Sequence, residues 1–381
     1  MAAAQVMTRR ATLAALASAA TAASSRSACA SSAAWQTATP QAAGFAPDLA
    51  AQLDEGVRSG VLDGLHAVLL SRNGRLVLER YYAGVDEGWG QPLGRVTFGP
   101  ATLHDIRSVT KSIVGLLYGI ALDRNLVPPP DAPLLAQFAE SPGLAADPMR
   151  AKLTVANALN MTLGLAWDEG WSYADPANGE IAMEAAPDRN RYILSRPIVT
   201  TPGTKWIYCG GAAALIGALI ARGSHTKLQD FARQTLFEPL GITAVEWYTG
   251  RDGVASAASG LRLRPRDLLR IGTLVLAHGQ WHGRQVVPPA WLEASFQPVI
   301  ATTFPGIEYG RLWYLGEATA PGLDGPHRWM AGFGNGGQRL WLMPDADLAV
   351  IVLCGNYDKP DQWVTPLRVW KEFVLGNLRR A

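Results

Sequence analysis

The feature that most constrains this chain is where its strand-patterned runs fall. His66 to Leu70 and Arg75 to Tyr82 are apolar, β-prone runs joined by Arg72-Asn73-Gly74, a tight-turn signal for an antiparallel hairpin. Strand patterns then become scarce until Tyr309 to Leu315, Gln338 to Met343 and Leu348 to Leu353, the last two joined by Pro344-Asp345-Ala346-Asp347. Between the two groups, from Pro128-Pro129-Pro130 onward, run helix-like and loop patterns punctuated by Pro and Gly. Strands at both ends around a helical middle predict an α+β chain, with one antiparallel sheet built from both termini, flanked by helices, and a large all-helical region inserted. The expected boundaries are residues 43–125 and 301–381 for the sheet domain and 126–300 for the helical one, with the functional cleft between them. Pro47 to Arg58 reads as an amphipathic helix with Pro47 in its first turn, and a last helix is expected from Gln362 to Leu378.

The first 34 residues read as an address. Thr8-Arg9-Arg10 precedes the Ala-rich stretch Ala11 to Ala23, and small residues continue to Ala34, the pattern of a cleaved export signal. Thr12 stands where a twin-arginine signal usually has an aromatic residue, so twin-arginine and general secretion both remain open. Arg26 upstream of Cys29 disfavours lipid attachment. No later apolar run reaches the roughly 18 residues of a membrane span, so a periplasmic or secreted protein is expected. Cys209 and Cys354 lie far apart without metal-type spacing, which predicts small buried residues rather than a disulfide.

A net charge of +2, with both signs mixed along the chain, leaves no basic stripe for a nucleic acid. Most of the 13 Trp residues are expected in the core, with some lining a cleft. His278 and His282 have helical ligand spacing, but Gly279 and Gly283 interrupt them and no third ligand is evident, so no metal site is expected there. His327 reads equally as a cleft or a surface residue.

Ser108-Val109-Thr110-Lys111 opens a helix-patterned run to Arg124 and puts a hydroxyl and an amine one turn apart on one helix face. The composition yields about 0.3 such matches by chance, and Ser224-His225-Thr226-Lys227 is a second one. Ser224 follows a Gly and precedes a helical run, so it reads as a residue at a helix start. A lysine accepts a serine's proton only when its pKa is lowered, and the apolar neighbours Ile113, Val114, Leu116 and Leu117 predict such a lowering for Lys111. Two further segments carry chemistry. Pro202 to Gly211 turns into a small-residue helix and places Tyr208 at its start, where a nearby ammonium favours a proton-shuttling phenolate. Gly332-Phe333-Gly334-Asn335-Gly336-Gly337-Gln338 satisfies a G-x-G-x-x-G pattern, yet a strand rather than a helix follows, which removes the dinucleotide reading. Such a Gly-rich approach to a strand leaves an N-H free for an oxyanion.

Together these segments resemble the serine β-lactamase, penicillin-binding protein and serine-esterase superfamily, whose Ser-x-x-Lys, Tyr and Gly-rich strand elements occur in the same chain order. Asn160 to Leu165, Trp167-Asp168-Glu169, Pro202-Gly203-Thr204, Glu238 to Gly241, Ala258 to Leu261 and Arg266-Asp267 look like its recurring phrases, so the resemblance spans most of the chain after the signal. It implies a β-lactamase-like fold, Ser108 as the acylated nucleophile, Lys111 as its proton acceptor and Tyr208 as the relay to the leaving group. It also implies an oxyanion hole from the N-H groups of Ser108 and Gln338, with Asn335, Gly336 and Gly337 beside the substrate and Trp171 and Tyr173 lining the acyl pocket. Gly210 and Asn335 replace the Asn and the Lys or His of the β-lactam-processing members. The likeness is therefore to the esterase and 6-aminohexanoate-oligomer amidase branch. The expected partner is a small ester or amide, with no metal or cofactor. The rival readings are a β-lactamase or D-alanyl-D-alanine carboxypeptidase, and a non-catalytic binding module of the same fold.

Overall fold

Apolar runs from opposite ends of the chain meet as neighbouring strands. The computed structural model describes residues 35–140 and 142–379, and the expected export signal lies outside them. From Trp35 onward the chain forms one compact unit. Its main sheet has eight antiparallel strands, in spatial order Ile300–Ala301, Glu308–Gly310, Trp313–Ala318, His327–Gly334, Gln338–Met343, Leu348–Cys354, Leu65–Arg72 and Arg75–Tyr81. The late strand Leu348–Cys354 pairs with the first, Val68 opposite Val352 and Leu70 opposite Val350. Every residue of Leu348–Cys354 is buried, because both faces of the sheet are covered.

Alternation along the strands sorts the layers. Leu340 and Leu342 lie against Gly272 of helix Pro265–Leu276, on the side that also carries helix Val109–Asp123. Trp341, between them, faces the other way and stacks on Trp370 of the C-terminal helical segment at 5.1 Å. Helix Leu49–Arg58 joins that second layer through Gly56, which abuts Phe373. Helix Val109–Asp123 is apolar around most of its circumference and buried from Val109 to Ala121, which is the pattern of a central core helix.

Several elements depart from the sequence expectation. Strand His327–Gly334 carries two glycines and no clean alternation, so its pattern did not announce a strand; its neighbours supply the ladder. The run Tyr309 to Leu315 is two strands joined at Arg311 and Leu312, both at positive φ (49° and 68°), a mirror-type hairpin turn without its usual Asn-Gly signature. Pro47 precedes the cap Asp48 instead of sitting in the first turn. The last helix is a short α segment, Val364–Arg368, continued by a π turn over Val369–Val374 and a 3-10 turn over Leu375–Asn377. The region 126–300 is not the all-helical insert expected: helices cover fewer than half of its residues, helix Pro265–Leu276 packs on the main sheet, and strands Val245–Trp247 and Leu261–Leu263 form a small sheet with His104–Asp105, the strand that leads to Ser108.

Candidate active site

The Ser108 turn is held from behind by a buried carboxylate. Asp105 accepts hydrogen bonds from the backbone N-H of Arg107 (2.8 Å) and of Trp89 (2.9 Å). Arg107 takes a left-handed backbone at φ 47°, an uncommon conformation for a residue with a side chain, and its guanidinium pairs with Glu87 and Asp105 and lies over the Tyr357 ring. The chain then enters helix Val109–Asp123 with Ser108 as its cap residue, at the positive end of the helix dipole. The Ser108 N-H donates to no protein acceptor among the described residues.

Lys111 lies one turn on and is 2% exposed. Its ammonium donates to Ser108 Oγ (2.8 Å), to the Ala258 carbonyl (2.8 Å) and to Glu180 Oε2 (3.4 Å). Those acceptors account for the three protons of a charged lysine. The centroid of the Tyr208 ring stands 4.8 Å from Nζ, so the tyrosine packs directly on the ammonium. The tyrosine is placed by the Ile207 N-H donating to Met161 O and by helix Gly210–Ser224 starting directly after Cys209.

The electrostatics differ from the expectation for Lys111. Burial does push its pKa down, but Tyr208, Glu180 and Glu169 outweigh burial and hold it above the ordinary lysine value. Burial raises the Tyr208 phenol, against the pull of Lys111 and of the Ser108 hydrogen bond. The buried lysine therefore keeps its proton in the resting site. Burial also raises the Glu169 carboxyl, with Lys111 opposing and Glu180 reinforcing.

Sequence reasoning did not single out Glu169 or Glu180. Glu169 accepts from Trp167 Nε1 (2.6 Å), the Tyr173 hydroxyl (3.1 Å) and the Gly210 N-H (2.5 Å). Glu180 accepts from Ser259 Oγ (2.6 Å) and sits in the first turn of helix Gly179–Ala185, capped by Asn178. An Asn-Gly-Glu helix start ordinarily signals a solvated acid complementing the dipole, so nothing local marks Glu180 as buried. The Ala258 to Leu261 phrase now has a local meaning, since it supplies the Ala258 carbonyl and the Ser259 hydroxyl.

Gly210 has a specific reason to lack a side chain. A Cβ there would lie 2.8 Å from Glu180 Oε2, 3.0 Å from Glu169 Oε1 and 3.2 Å from the Ala258 Cβ. The space an asparagine would need belongs to the carboxylate pair.

The Gly-rich segment is divided by the structure. Gly332 and Gly334 abut the Ser108 turn: a Cβ on Gly332 would lie 2.9 Å from Val109 and one on Gly334 2.6 Å from the Ile106 carbonyl. Gln338, opposite Gly334 in the ladder, turns its buried side chain to the Cys354 backbone, donating to O (2.7 Å) and accepting from N (3.0 Å). Gly336 and Gly337 lie against Tyr357 and Cys354. Asn335 exchanges hydrogen bonds with Asp358, its Nδ2 donating at 2.9 Å and its Oδ1 accepting from the Asp358 N-H at 3.1 Å. Asp358 also accepts from Ser172 Oγ (2.7 Å) and the Tyr173 N-H (3.0 Å), so it ties the Trp171 to Tyr173 loop to the Asn335 turn. Tyr173 is half-buried against Glu169, whereas Trp171 is 53% exposed.

The remaining candidates stay apart from this site. His278 and His282 both take left-handed turn conformations, and His327 pairs with Asp345 at the surface. Cys209 and Cys354 are free and buried, as expected.

Comparison with known proteins agrees with the geometry. The β-lactamase family profile matches residues 48–364. A 6-aminohexanoate-dimer hydrolase from Paenarthrobacter ureafaciens is 25% identical over 336 residues, covering 83% of this chain and 76% of that one. EstCE1, a hydrolase with promiscuous acyltransferase activity, superposes with a TM-score of 0.69 at 16% identity, over 86% of this chain and 99% of its own. A penicillin-binding protein homologue from Caulobacter crescentus does so with a TM-score of 0.62 at 16% identity, over 85% and 97%. At these identities the two superpositions bear on fold alone.

Proposed function

The chain belongs to the β-lactamase family of serine hydrolases, and from that premise we propose that it cleaves a small ester or amide through an acyl intermediate on Ser108. The observation that carries this reading is the 2.8 Å contact between Lys111 Nζ and Ser108 Oγ, with the Tyr208 ring 4.8 Å from the same ammonium. Ser108 Oγ attacks the carbonyl carbon as its proton passes into the Lys111 and Tyr208 pair. The same pair returns a proton to the leaving group, and water then repeats the sequence on the acyl-enzyme. The oxyanion is received by the free Ser108 N-H and, in place of the Gln338 N-H expected from the sequence, by the backbone of Gly332 to Gly334, the part of the segment that abuts the Ser108 turn, aided by the helix dipole.

The resting charges add a requirement. Lys111 holds its proton above the ordinary lysine range, so a proton must leave the Lys111 and Tyr208 pair before Ser108 can be deprotonated. The competent form gains population as pH rises.

The esterase or amidase reading is favoured over a β-lactamase or carboxypeptidase by Gly210 and Asn335. The first leaves no space for a substrate-holding asparagine, and the second is engaged by Asp358. The expected export of the chain belongs to this proposal as well. A fluorophosphonate probe tests the core of it: intact mass should show one adduct on the wild type and none on Ser108→Ala. Equal labelling of both proteins sinks the mechanism. A labelled penicillin that forms a lasting adduct on Ser108 would shift the substrate class to β-lactams.

A further inference from the structure

Outside the catalytic cluster, three buried side chains from three separate segments converge: His66 on the first strand, Asp86 on the ribbon strand Ala83–Gly88, and His104 on the short strand before Ser108. Their relative exposures are 1%, 2% and 0%. His66 Nδ1 and His104 Nε2 are 3.0 Å apart, Asp86 Oδ1 is 3.9 Å from His104 Nε2, and one ligand atom from each residue lies within 4.8 Å of the other two. We propose that this trio is a structural binding site for a divalent transition-metal ion of the zinc type.

His104 Nε2 presents its lone pair to the centre, where it accepts the proton of His66 Nδ1 that a bound ion would displace. His104 Nδ1 lies 3.0 Å from the Asp105 carbonyl, which can only accept, so that nitrogen carries the hydrogen and Nε2 presents its lone pair. A ligating histidine is commonly oriented by such a contact from its other nitrogen. On Asp86, the Tyr357 hydroxyl donates to Oδ1 (2.7 Å), while Oδ2 is buried without any hydrogen-bond partner. The Arg262 guanidinium lies 3.9 Å from that oxygen, beyond hydrogen-bonding distance, so Oδ2 keeps its lone pairs free for a ligand.

The donor set and the charge agree with such an ion. Two imidazoles and a carboxylate suit zinc, whose bonds of about 2.0–2.1 Å set ligand atoms roughly 3.4 Å apart in a tetrahedron. To reach that spacing the imidazole pair opens from 3.0 Å and the Asp86–His104 contact closes from 3.9 Å, while the His66–Asp86 pair, within 4.8 Å, closes by up to about 1.4 Å. Around the trio, Asp86, Asp105 and Glu87 face the guanidinium groups of Arg107 and Arg262, an excess of carboxylate that a cation offsets. Ring packing fixes His66 as well: Phe98 stacks on it at 4.3 Å, and a Cβ on Gly84 or Gly355 would lie within 2.5 Å of its ring. Bound there, the ion clamps the first strand, the ribbon and the strand leading to the nucleophile. It takes no part in the acyl chemistry.

The test uses the full chain without a histidine tag, grown with added zinc and purified without chelator. Elemental analysis should find about one zinc per chain. Removal by a chelator should lower the melting temperature, and zinc added back should restore it. Cobalt in its place should give the visible absorption of a four- or five-coordinate ion. His66→Gln and Asp86→Asn should each weaken zinc binding roughly tenfold or more, and Tyr357→Phe roughly 10–100-fold through the orienting hydrogen bond. If the variants fail to fold, the cobalt spectrum of the wild type decides by itself. A folded wild-type chain that takes up neither zinc nor cobalt overturns the site and leaves a plain hydrogen bond between two neutral histidines.

Discussion

Ser108 to Lys111 and Ser224 to Lys227 carry the same four-residue pattern in surroundings that could hardly differ more. In the first, serine caps the start of a buried helix and lysine lies within it, so both point to one side and meet at 2.8 Å. In the second, serine ends helix Gly210–Ser224, His225 takes a left-handed conformation at φ 53°, and Lys227 caps the next helix. The αL residue separates the two side chains: Ser224 Oγ bonds Thr226 Oγ1 at 3.0 Å and Lys227 stays exposed. A serine and a lysine three apart therefore make a nucleophile only when one continuous helix joins them and burial surrounds the amine.

That contrast can be broken or sharpened by substitution. Ser108→Ala should lower kcat by roughly 10³-fold or more and abolish adduct formation. A residual activity within tenfold of wild type would return Ser224 to consideration. Lys111→Ala should cost roughly 10²–10⁴-fold in kcat/KM with the fold retained by circular dichroism.

Glu180→Gln tests the charge that distinguishes the two lysines. Removing a carboxylate that helps hold Lys111 above its ordinary value lets burial pull that pKa down. Wild-type kcat/KM should climb with pH through the neutral and alkaline range, and the variant's climb should shift to lower pH. An unshifted profile would show that Glu180 does not set the lysine's charge.

Gly210→Ala should destabilise the chain by roughly 1–3 kcal/mol in denaturant unfolding, because the new Cβ strikes Glu180 and Glu169. The smallest effects belong to the decoy. Ser224→Ala and Lys227→Ala should each change stability by no more than about 0.5 kcal/mol. Both should leave turnover at the wild-type level in the same assay.

Much of this was legible in the chain. The hairpin at Asn73-Gly74, the paired C-terminal strands around Pro344, the Ser108 helix and the burial of both cysteines follow from patterns spanning a few residues. Strand His327–Gly334 was not, since glycine-rich segments carry little β signal and this one is held by its ladder partners. The functional segments were found through their residue types. Which glycines of the third segment reach the serine was not, because Gly332 and Gly334 are told from Gly336 and Gly337 only by what lies across from them.

By itself the sequence determined the strand groups at the two ends of the chain, the nucleophile's helix and the absence of an asparagine at position 210, since periodicity, capping and residue identity act over short distances. Tertiary structure decided the charge on Lys111, the purpose of Gly210 and the meeting of His66, Asp86 and His104. A pKa or a ligand set depends on groups within a few ångströms in space, and here those groups come from segments tens of residues apart or more, such as Lys111 and Glu180 or His66 and His104.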